Sequence, residues 1–307
     1  MAASSTLSAS FVAQATFRAR IRGVLAALLL LLASTLPARA AESSIVTLDW
    51  TVAETMLALG VVPQGVAQLD AYRDWVGSPE MPASVVDLGL RAQPNLELLA
   101  DLDPSDILIT PLFASLEPRL SRIAPVTTLG IYATSNDPWA SMLAATRKLG
   151  RLTGRPEAAE RLIASTETQL AQAKKRLPEN SPALLVVQFM DERHVRVFGE
   201  RSLFQGVLSR LGLDNAWQEK TNTYGFSLVG LEDLAELKAH LVVVEPLPTG
   251  VEEQLAESGL WQNLDAVRRH QVSTLPPVWS FGALPSAQRF THLLVKALTP
   301  KERAEDV

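Results

Sequence analysis

One uninterrupted helical segment divides this chain into two halves. Residues 155–177 read RPEAAERLIASTETQLAQAKKRL and contain neither proline nor glycine after the first turn. At 1.5 Å per residue, the segment predicts a helix of about 35 Å, which is long enough to bridge two lobes. The length of 307 residues and the hydrophobic content of 47% agree with this division, since they supply apolar material for about two domains.

Short apolar runs alternate with helical patterns on both sides of the long segment. In the first half the runs are Ile45 to Leu48, Val61 to Ala67, Val85 to Leu88, Ile107 to Thr110 and Val126 to Leu129. In the second half they are Ala183 to Met190, Val195 to Phe198, Leu241 to Val244 and Val272 to Leu275. This alternation is typical of α/β structure. We therefore predict two Rossmann-like α/β lobes, at 41–153 and 180–307, joined by one long helix at 154–179.

The first 40 residues have the pattern of a secretory signal peptide. Three arginines precede an apolar run from Val24 to Ala33, and Ala38 and Ala40 form an A-x-A cleavage site. The run of about ten residues is too short to cross the bilayer as a helix, which needs about 20 residues. We expect a cleaved signal at 1–40 and a soluble mature protein, most simply in a bacterial periplasm.

The charge and the cysteine content argue against several classes of partner and site. Removing the signal leaves 24 of the 28 Lys and Arg residues against 33 acids, so the mature chain has a net charge of about −9. This acidic balance argues against a nucleic-acid partner. The chain has no cysteine, which excludes disulfides, thiolate metal sites and a lipid-anchored cysteine.

Aromatic residues gather near the ends of the predicted strands. In open α/β sheets, ligands bind beyond the carboxyl ends of the strands. The candidates near such ends are Trp50, Arg91, Phe113, Tyr224 and Trp279, four of them aromatic in a chain with 6% aromatic residues. This favours a ligand cleft between the lobes. The alternatives are core packing for the tryptophans and a surface ion pair of Arg91 with Asp87 or Glu97.

Catalytic patterns are weak. The segment 225–230 reads GFSLVG and is one residue longer than the nucleophile elbow G-x-S-x-G. No Walker loop, G-x-G-x-x-G or H-E-x-x-H motif occurs, and the four histidines lack metal-ligand spacing. We therefore expect a protein that is not an enzyme and has no metal site of its own. An exported serine hydrolase using Ser227 is the alternative from another class.

Several stretches together resemble the periplasmic binding proteins for iron(III)-hydroxamate siderophores, which serve ABC importers. They include LDWTVAETMLALGVVPQGVA, AYRDWV, VVDLGLRAQPNLELL, HVRVFG, DNAWQ and PPVWSFGALPSAQRF, in order across residues 45–298. The resemblance implies the helical-backbone periplasmic binding protein fold. It also implies a ferric siderophore as ligand and an ABC permease in the inner membrane as partner. Iron would arrive already coordinated, so no cofactor is expected, and we expect a monomer.

The resemblance also implies roles for individual residues. Arg91 stands where the family arginine contacts the hydroxamate oxygens around iron, and Trp50, Trp75 and Trp279 match family positions. Phe113 replaces a family tyrosine and Tyr224 a family tryptophan, so the preferred siderophore stays open. Because aromatic faces can cover the apolar linkers of many hydroxamate ligands, we expect broad specificity. A single cation suits a nearly neutral complex, whereas a triply anionic catecholate would require several basic residues.

The same resemblance implies one acidic residue on each lobe for docking to the permease. Glu117 and Glu232 fit this role, and solvated acids at helix ends are the alternative. The sequence also leaves three alternative ligands for a binding protein of this type. These are a catecholate siderophore, haem and cobalamin.

Overall fold

The computed structural model describes residues 44–132 and 137–299. The predicted signal peptide at 1–40 lies outside the described residues. The described residues belong to one compact unit. Among the described residues, no helix is both long and apolar enough to cross a bilayer.

The first sheet is parallel and has the strand order β3-β2-β1-β6-β7. Its strands are β1 Ile45–Thr47, β2 Gly65–Val66, β3 Val86–Asp87, β6 Asp106–Ile109 and β7 Val126–Thr128. Each falls within or beside an apolar run predicted from the sequence. The central strands are covered on both faces, so Val46, Ile107 and Leu108 are fully buried.

A small antiparallel hairpin follows β3, and the sequence patterns did not predict it. Its strands are β4 Gly89–Leu90 and β5 Gln93–Pro94, which leaves Arg91 and Ala92 as the two turn residues. Gly89 has φ +79°, a conformation that glycine adopts without steric strain. The hairpin therefore presents Arg91 at a tight turn rather than simply after a buried strand.

The second sheet has the order β10-β9-β8-β11-β12 and is antiparallel at one edge. Its strands are β8 Leu184–Phe189, β9 His194–Phe198, β10 Phe226–Gly230, β11 His240–Val244 and β12 Val272–Leu275. Strand β10 was not predicted. It lies at the sheet edge without a fully buried residue, and Leu228 is exposed, so its apolar pattern is weak.

The helices connect the strands and cover both sheets. They are α1 Trp50–Ala58, α2 Leu69–Val76, α3 Leu96–Asp101, α4 Glu117–Leu120, α5 Pro138–Leu152, α6 Pro156–Arg176, α7 Leu203–Leu211, α8 Val251–Glu257, α9 Gly259–Asn263, α10 Asp265–Arg268 and α11 Leu284–Leu298. Two 3₁₀ helices, η1 Pro111–Leu116 and η2 Leu231–Leu234, precede α4 and β11.

The long helix α6 spans 21 residues within the predicted connecting segment. It packs against α5, α7 and α11. The stretch 252–267 has a helical sequence pattern but forms three short helices rather than one. Ser258 and Leu264 are extended there, and Ser258 caps α9 through a hydrogen bond from Trp261 N, so the backbone breaks twice.

A single hydrophobic cluster runs through both halves of the molecule. It contains Ile45 and Leu108 from the first sheet, Phe198 and Val242 from the second, and Phe290 from α11. The two lobes therefore share buried apolar surface instead of having fully separate cores.

Candidate ligand-binding site

A cavity of about 460 Å³ is lined by residues of both lobes. Five of the six predicted ligand-binding residues line it: Trp50, Trp75, Arg91, Tyr224 and Trp279. They come from α1, α2, the β4-β5 hairpin, the loop before β10 and the loop after β12. The fold thus brings together side chains that are far apart in the sequence.

Arg91 lies in the wall of this cavity with its side chain only 15% exposed. Its Nε donates a hydrogen bond of 3.1 Å to Leu48 O. The guanidinium carbon lies 4.2 Å from the ring centroid of Trp50 and 5.4 Å from that of Trp279. Aromatic rings therefore fix the plane of the cation by packing and cation–π attraction.

One donor of Arg91 has no hydrogen-bond partner. Nη2 is buried and unpaired among the described residues, and it lies 3.9 Å from Asp49 Oδ2. The Asp49 carboxylate is already held, because Oδ1 accepts from Thr51 N and Oδ2 from Thr110 Oγ1. Burial lowers the pKa of Arg91, and the nearby Asp49 charge opposes this shift. A buried donor without a partner is unfavourable, so a ligand whose acceptors pair with the guanidinium of Arg91 would stabilise the site.

The alternative role of Arg91, a surface ion pair with Asp87 or Glu97, is wrong. Asp87 accepts hydrogen bonds from the backbone N–H groups of Gln68, Leu69 and Gly89 instead. Among the described residues, the carboxylate within ion-pair distance of Arg91 is that of Asp49.

The tryptophans both pack in a core and face the cavity. Trp50 and Trp279 have ring centroids 4.9 Å apart and lie in one buried cluster. Trp50 Nε1 donates to Ala67 O at 2.9 Å, and Trp279 Nε1 donates to Thr51 Oγ1 at 3.0 Å. Trp75 is half-buried on α2. The core-packing alternative is therefore compatible with a place in the cavity wall.

Phe113 was predicted as a ligand contact, and the structure corrects this placement. It is only 5% exposed, does not line the cavity and lies in the core of the first lobe. Its ring centroid is 5.1 Å from the Arg91 guanidinium. The segment after β6 is the 3₁₀ helix η1, in which neighbouring side chains point in different directions. The adjacent Leu112, which is 53% exposed, lines the cavity instead.

The second-lobe wall holds three residues that the sequence analysis missed, Arg196, Phe226 and Phe281. The Arg196 guanidinium lies 5.1 Å from the Phe226 ring centroid and 5.6 Å from that of Phe281. The expectation of a single cation at the site is therefore wrong. Arg196 stands between the fully buried Val195 and Val197, and this strand alternation is a signal that could have marked it.

First-lobe side chains hold the second-lobe segment that carries Trp279 and Phe281. Thr51 Oγ1 donates to Phe281 O at 2.8 Å, and Tyr132 OH donates to Gly282 O at 2.6 Å. The fully buried Glu54 accepts hydrogen bonds from Ala283 N at 2.7 Å and Ser286 Oγ at 2.5 Å. Burial raises the pKa of Glu54 to about 8. These bonds fix the aromatic wall against the first lobe.

The remaining candidates lie outside this cavity. Glu117 begins α4 and Glu232 lies in η2, and both are exposed. Ser227 lies inside β10, where its Oγ donates to Lys220 O at 2.9 Å, so it is not on a strand-to-helix turn. Among the described residues, no group of three or more His, Asp or Glu side chains is arranged to hold a metal ion.

Comparison with known proteins identifies the family. The profile of the periplasmic binding proteins matches residues 45–278. This chain belongs to that family. The periplasmic binding proteins are substrate-binding proteins rather than enzymes, and the hydrolase alternative based on Ser227 is therefore set aside.

Two relatives illustrate the similarity of this chain to known members of the family. The chain is 36% identical over 259 residues to the iron(3+)-hydroxamate-binding protein FhuD of Escherichia coli, which covers 84% of this chain and 87% of FhuD. It is 27% identical over 239 residues to the Fe(3+) dicitrate-binding periplasmic protein FecB of E. coli, with 75% and 76% covered. The resemblance seen in the sequence is thus confirmed.

Solved structures agree with the fold. The siderophore-binding protein FhuD of Vibrio cholerae, bound to Fe3+-Desferal, matches with a TM-score of 0.80 and 28% identity, over 85% of this chain and 99% of that one. The triscatecholate siderophore-binding protein FeuA of Bacillus subtilis matches with a TM-score of 0.71 and 19% identity, over 88% and 95%, and supports the fold alone. The predicted architecture of two α/β lobes joined by a helix is confirmed.

Proposed function

We propose that this periplasmic binding protein captures ferric siderophores of the hydroxamate type and delivers them to an ABC permease. The observation that carries the proposal is Arg91, a cationic residue in the wall of an aromatic-lined cavity whose guanidinium is not fully hydrogen-bonded by the described residues. The relatives that bind an iron(3+)-hydroxamate and Fe3+-Desferal support the same ligand class.

The chemistry of Arg91 suits hydroxamate oxygens bound to iron. Deprotonation leaves negative charge on these oxygens, and a planar guanidinium donates parallel hydrogen bonds to them while staying charged. Seating the ligand would exclude water and strengthen this interaction. The rings of Trp50, Trp75 and Trp279 would cover the apolar linkers of the chelate.

Iron would enter the site already coordinated by the siderophore. The protein then needs no metal ligands and no cofactor, and its role is to recognise the outer surface of the complex. An aromatic wall is tolerant of the linker chemistry, so we expect several hydroxamate complexes to bind.

Delivery would use the exposed acids of the two lobes. Glu117 and Glu232 are accessible to arginines of a permease, and such exposed pairs mainly set orientation and association rate. We propose that the mature protein acts as a monomer in the periplasm after removal of the signal at 1–40. We also propose that the mature chain consists of a first lobe at 41–153, a connecting helix segment at 154–179 and a second lobe at 180–307.

A truncation of Arg91 tests the proposal. We expect Arg91→Ala to weaken the binding of ferrichrome, a neutral trihydroxamate complex, by about 1.5 to 3 kcal/mol, because charge-assisted hydrogen bonds are lost. Titration of the purified mature protein, followed by tryptophan fluorescence, measures this change. Trp50 and Trp279 line the cavity and provide the signal.

Arg269→Ala is the matched control. Arg269 is exposed, pairs with Asp265 on α10 and does not line the cavity, so its truncation should leave ferrichrome affinity unchanged. Equal affinities of the Arg91→Ala variant and the wild type would contradict the role of Arg91. Quenching by a triscatecholate complex but not by ferrichrome would overturn the ligand class.

A further inference from the structure

We propose that Arg196 forms a second anion subsite in the cavity and that the preferred ligand is a ferric chelate carrying carboxylate as well as hydroxamate groups. The inference rests on the proposed function, because it defines the class of ferric siderophore that this site takes. Four features of the second-lobe wall support it.

The first feature is the place of Arg196 in the sheet. Arg196 is the middle residue of β9, paired with Gln188 of β8 on one side and Leu228 of β10 on the other. Its neighbours Val195 and Val197 are buried in the opposite face of the strand. The strand therefore directs Arg196 towards the cavity and fixes its position more firmly than a loop would.

The second feature is the lack of a counter-charge. Among the described residues, no carboxylate lies within 4.0 Å of the Arg196 guanidinium. Its side-chain hydrogen bond is a long one, from Nη1 to Gln188 Oε1 at 3.5 Å. That same oxygen accepts a bond of 3.2 Å from Ser280 Oγ. Most donors of Arg196 are thus free for a ligand, and burial of the unpaired cation lowers its pKa.

The third feature is the charge balance of the cavity. Arg91 has Asp49 at 3.9 Å, whereas Arg196 has no such partner among the described residues. The nearby Glu54 is fully buried, and its raised pKa of about 8 keeps the carboxyl group mainly protonated at neutral pH. The cavity therefore has an excess of positive charge. A neutral trihydroxamate complex leaves this charge uncompensated, while a complex with a free carboxylate neutralises it.

The fourth feature is geometric. Arg91 belongs to the first lobe and Arg196 to the second, so the two cations act from different walls of one cavity. Phe226 and Phe281 stack near the Arg196 guanidinium and hold its plane. A fixed planar guanidinium matches the planar carboxylate in a bidentate pair. A ligand with hydroxamate oxygens at one end and a carboxylate at the other would contact both lobes.

A charge-removing variant and two ligands test this subsite. The probes are ferrichrome, which carries no carboxylate, and the ferric complex of a trihydroxamate with a pendant carboxylate group that does not coordinate the iron. We expect Arg196→Gln to weaken the binding of the carboxylate-bearing complex about tenfold more than it weakens that of ferrichrome, because only the first complex loses a charge-assisted pair. Arg196→Lys, which keeps the charge but loses the planar fork, should give an intermediate loss. Tryptophan fluorescence titration of the mature protein measures each affinity, and thermal unfolding checks that each variant is folded.

Other outcomes separate the two proposals. If the wild type binds ferrichrome and Arg196→Gln weakens both complexes equally, or neither, Arg196 has only a packing role and the subsite is rejected while the proposed function stands. If the wild type binds neither complex, the proposed function itself fails. Raising NaCl from 50 to 500 mM should weaken the carboxylate-bearing complex in the wild type and have less effect in Arg196→Gln; equal salt effects would also reject the subsite.

Discussion

At the scale of single residues, Glu54 is a carboxyl group whose buried setting changes its ordinary chemistry. It is fully buried on α1, and both carboxyl oxygens contact the start of α11 through Ala283 and Ser286. Gly282 allows this approach, because a Cβ there would lie 2.7 Å from Glu54 Oε1. The carboxyl group thus joins the first lobe to the segment that bears Trp279 and Phe281.

The buried carboxyl group predicts a pH dependence of stability. The pKa of Glu54 is about 8 in the folded protein and 4.5 when unperturbed, with burial as the main cause and the Asp49 charge adding to it. Between these values the folded state binds more protons than the unfolded state. The contribution of Glu54 to the free energy of unfolding is therefore largest below about pH 4.5 and falls towards pH 8, with a limiting slope of about 1.4 kcal/mol per pH unit.

Glu54→Gln should remove this slope, because the amide keeps the shape but does not ionise. Urea unfolding of both proteins at pH 5, 6.5 and 8 measures the difference. We expect the free energy of unfolding of the wild type to fall relative to that of the variant as the pH rises. Parallel profiles would show that Glu54 is ionised in the folded protein throughout this range.

At the scale of elements, the β4-β5 hairpin determines where Arg91 lies. Gly89 has φ +79°, and the nearest atom to a Cβ added there would be Asn95 N at 3.8 Å. The space is sufficient, so a substitution would strain only the backbone. The strain would act directly on the turn that presents Arg91 to the cavity.

Gly89→Ala should therefore affect stability and ligand binding together. We expect a loss of about 1 to 2 kcal/mol in the free energy of unfolding, as an L-residue at positive φ requires. We also expect weaker ferrichrome binding, since the turn relaxes and moves Arg91. Urea unfolding and fluorescence titration measure the two effects.

Gly154→Ala is the matched control for this change. Gly154 has φ +67° and no atom within 4 Å of an added Cβ, and it lies between α5 and α6 rather than at the cavity. Gly154→Ala should lower the free energy of unfolding by a similar amount and leave the affinity for ferrichrome unchanged. A similar loss of affinity in both variants would mean that the hairpin has no special role in placing Arg91.

At the scale of the whole molecule, the shared hydrophobic cluster joins the lobes more closely than a bare connecting helix would. The cluster includes residues of both sheets together with α6 and α11. Thr51 and Tyr132 of the first lobe donate hydrogen bonds to the segment 281–286, and Glu54 accepts hydrogen bonds from it. Unfolding one lobe would therefore also expose apolar surface of the other lobe to water.

This coupling predicts one cooperative unfolding transition for the mature protein. Far-ultraviolet circular dichroism reports on both lobes, and tryptophan fluorescence includes the signals of Trp50, Trp75 and Trp279 at the cavity between them. We expect the two signals to give coincident urea transitions. Separate midpoints would indicate that each lobe is stable without the other.

Much of this architecture follows from local sequence patterns. Alternating apolar runs mark the strands of the parallel sheet, because strands covered on both faces must be apolar throughout. The absence of proline and glycine after the first turn marks α6. Asp137 followed by Pro138 marks the start of α5, where Asp137 Oδ1 accepts from Ala140 N. The places of Trp50 and Arg91 near strand ends identify one wall of the cavity.

The tertiary structure alone decided which side chains meet. Glu54 and Ser286 are 232 residues apart, and no periodicity within a segment reports such a contact. Arg196 lies in the cavity because β9 runs antiparallel beside β8, and Phe113 lies beneath Arg91 because the segment after β6 coils into a 3₁₀ helix. Local sequence patterns indicate which side chains are buried. The partner that each buried side chain contacts depends on how the two sheets and their connections pack together.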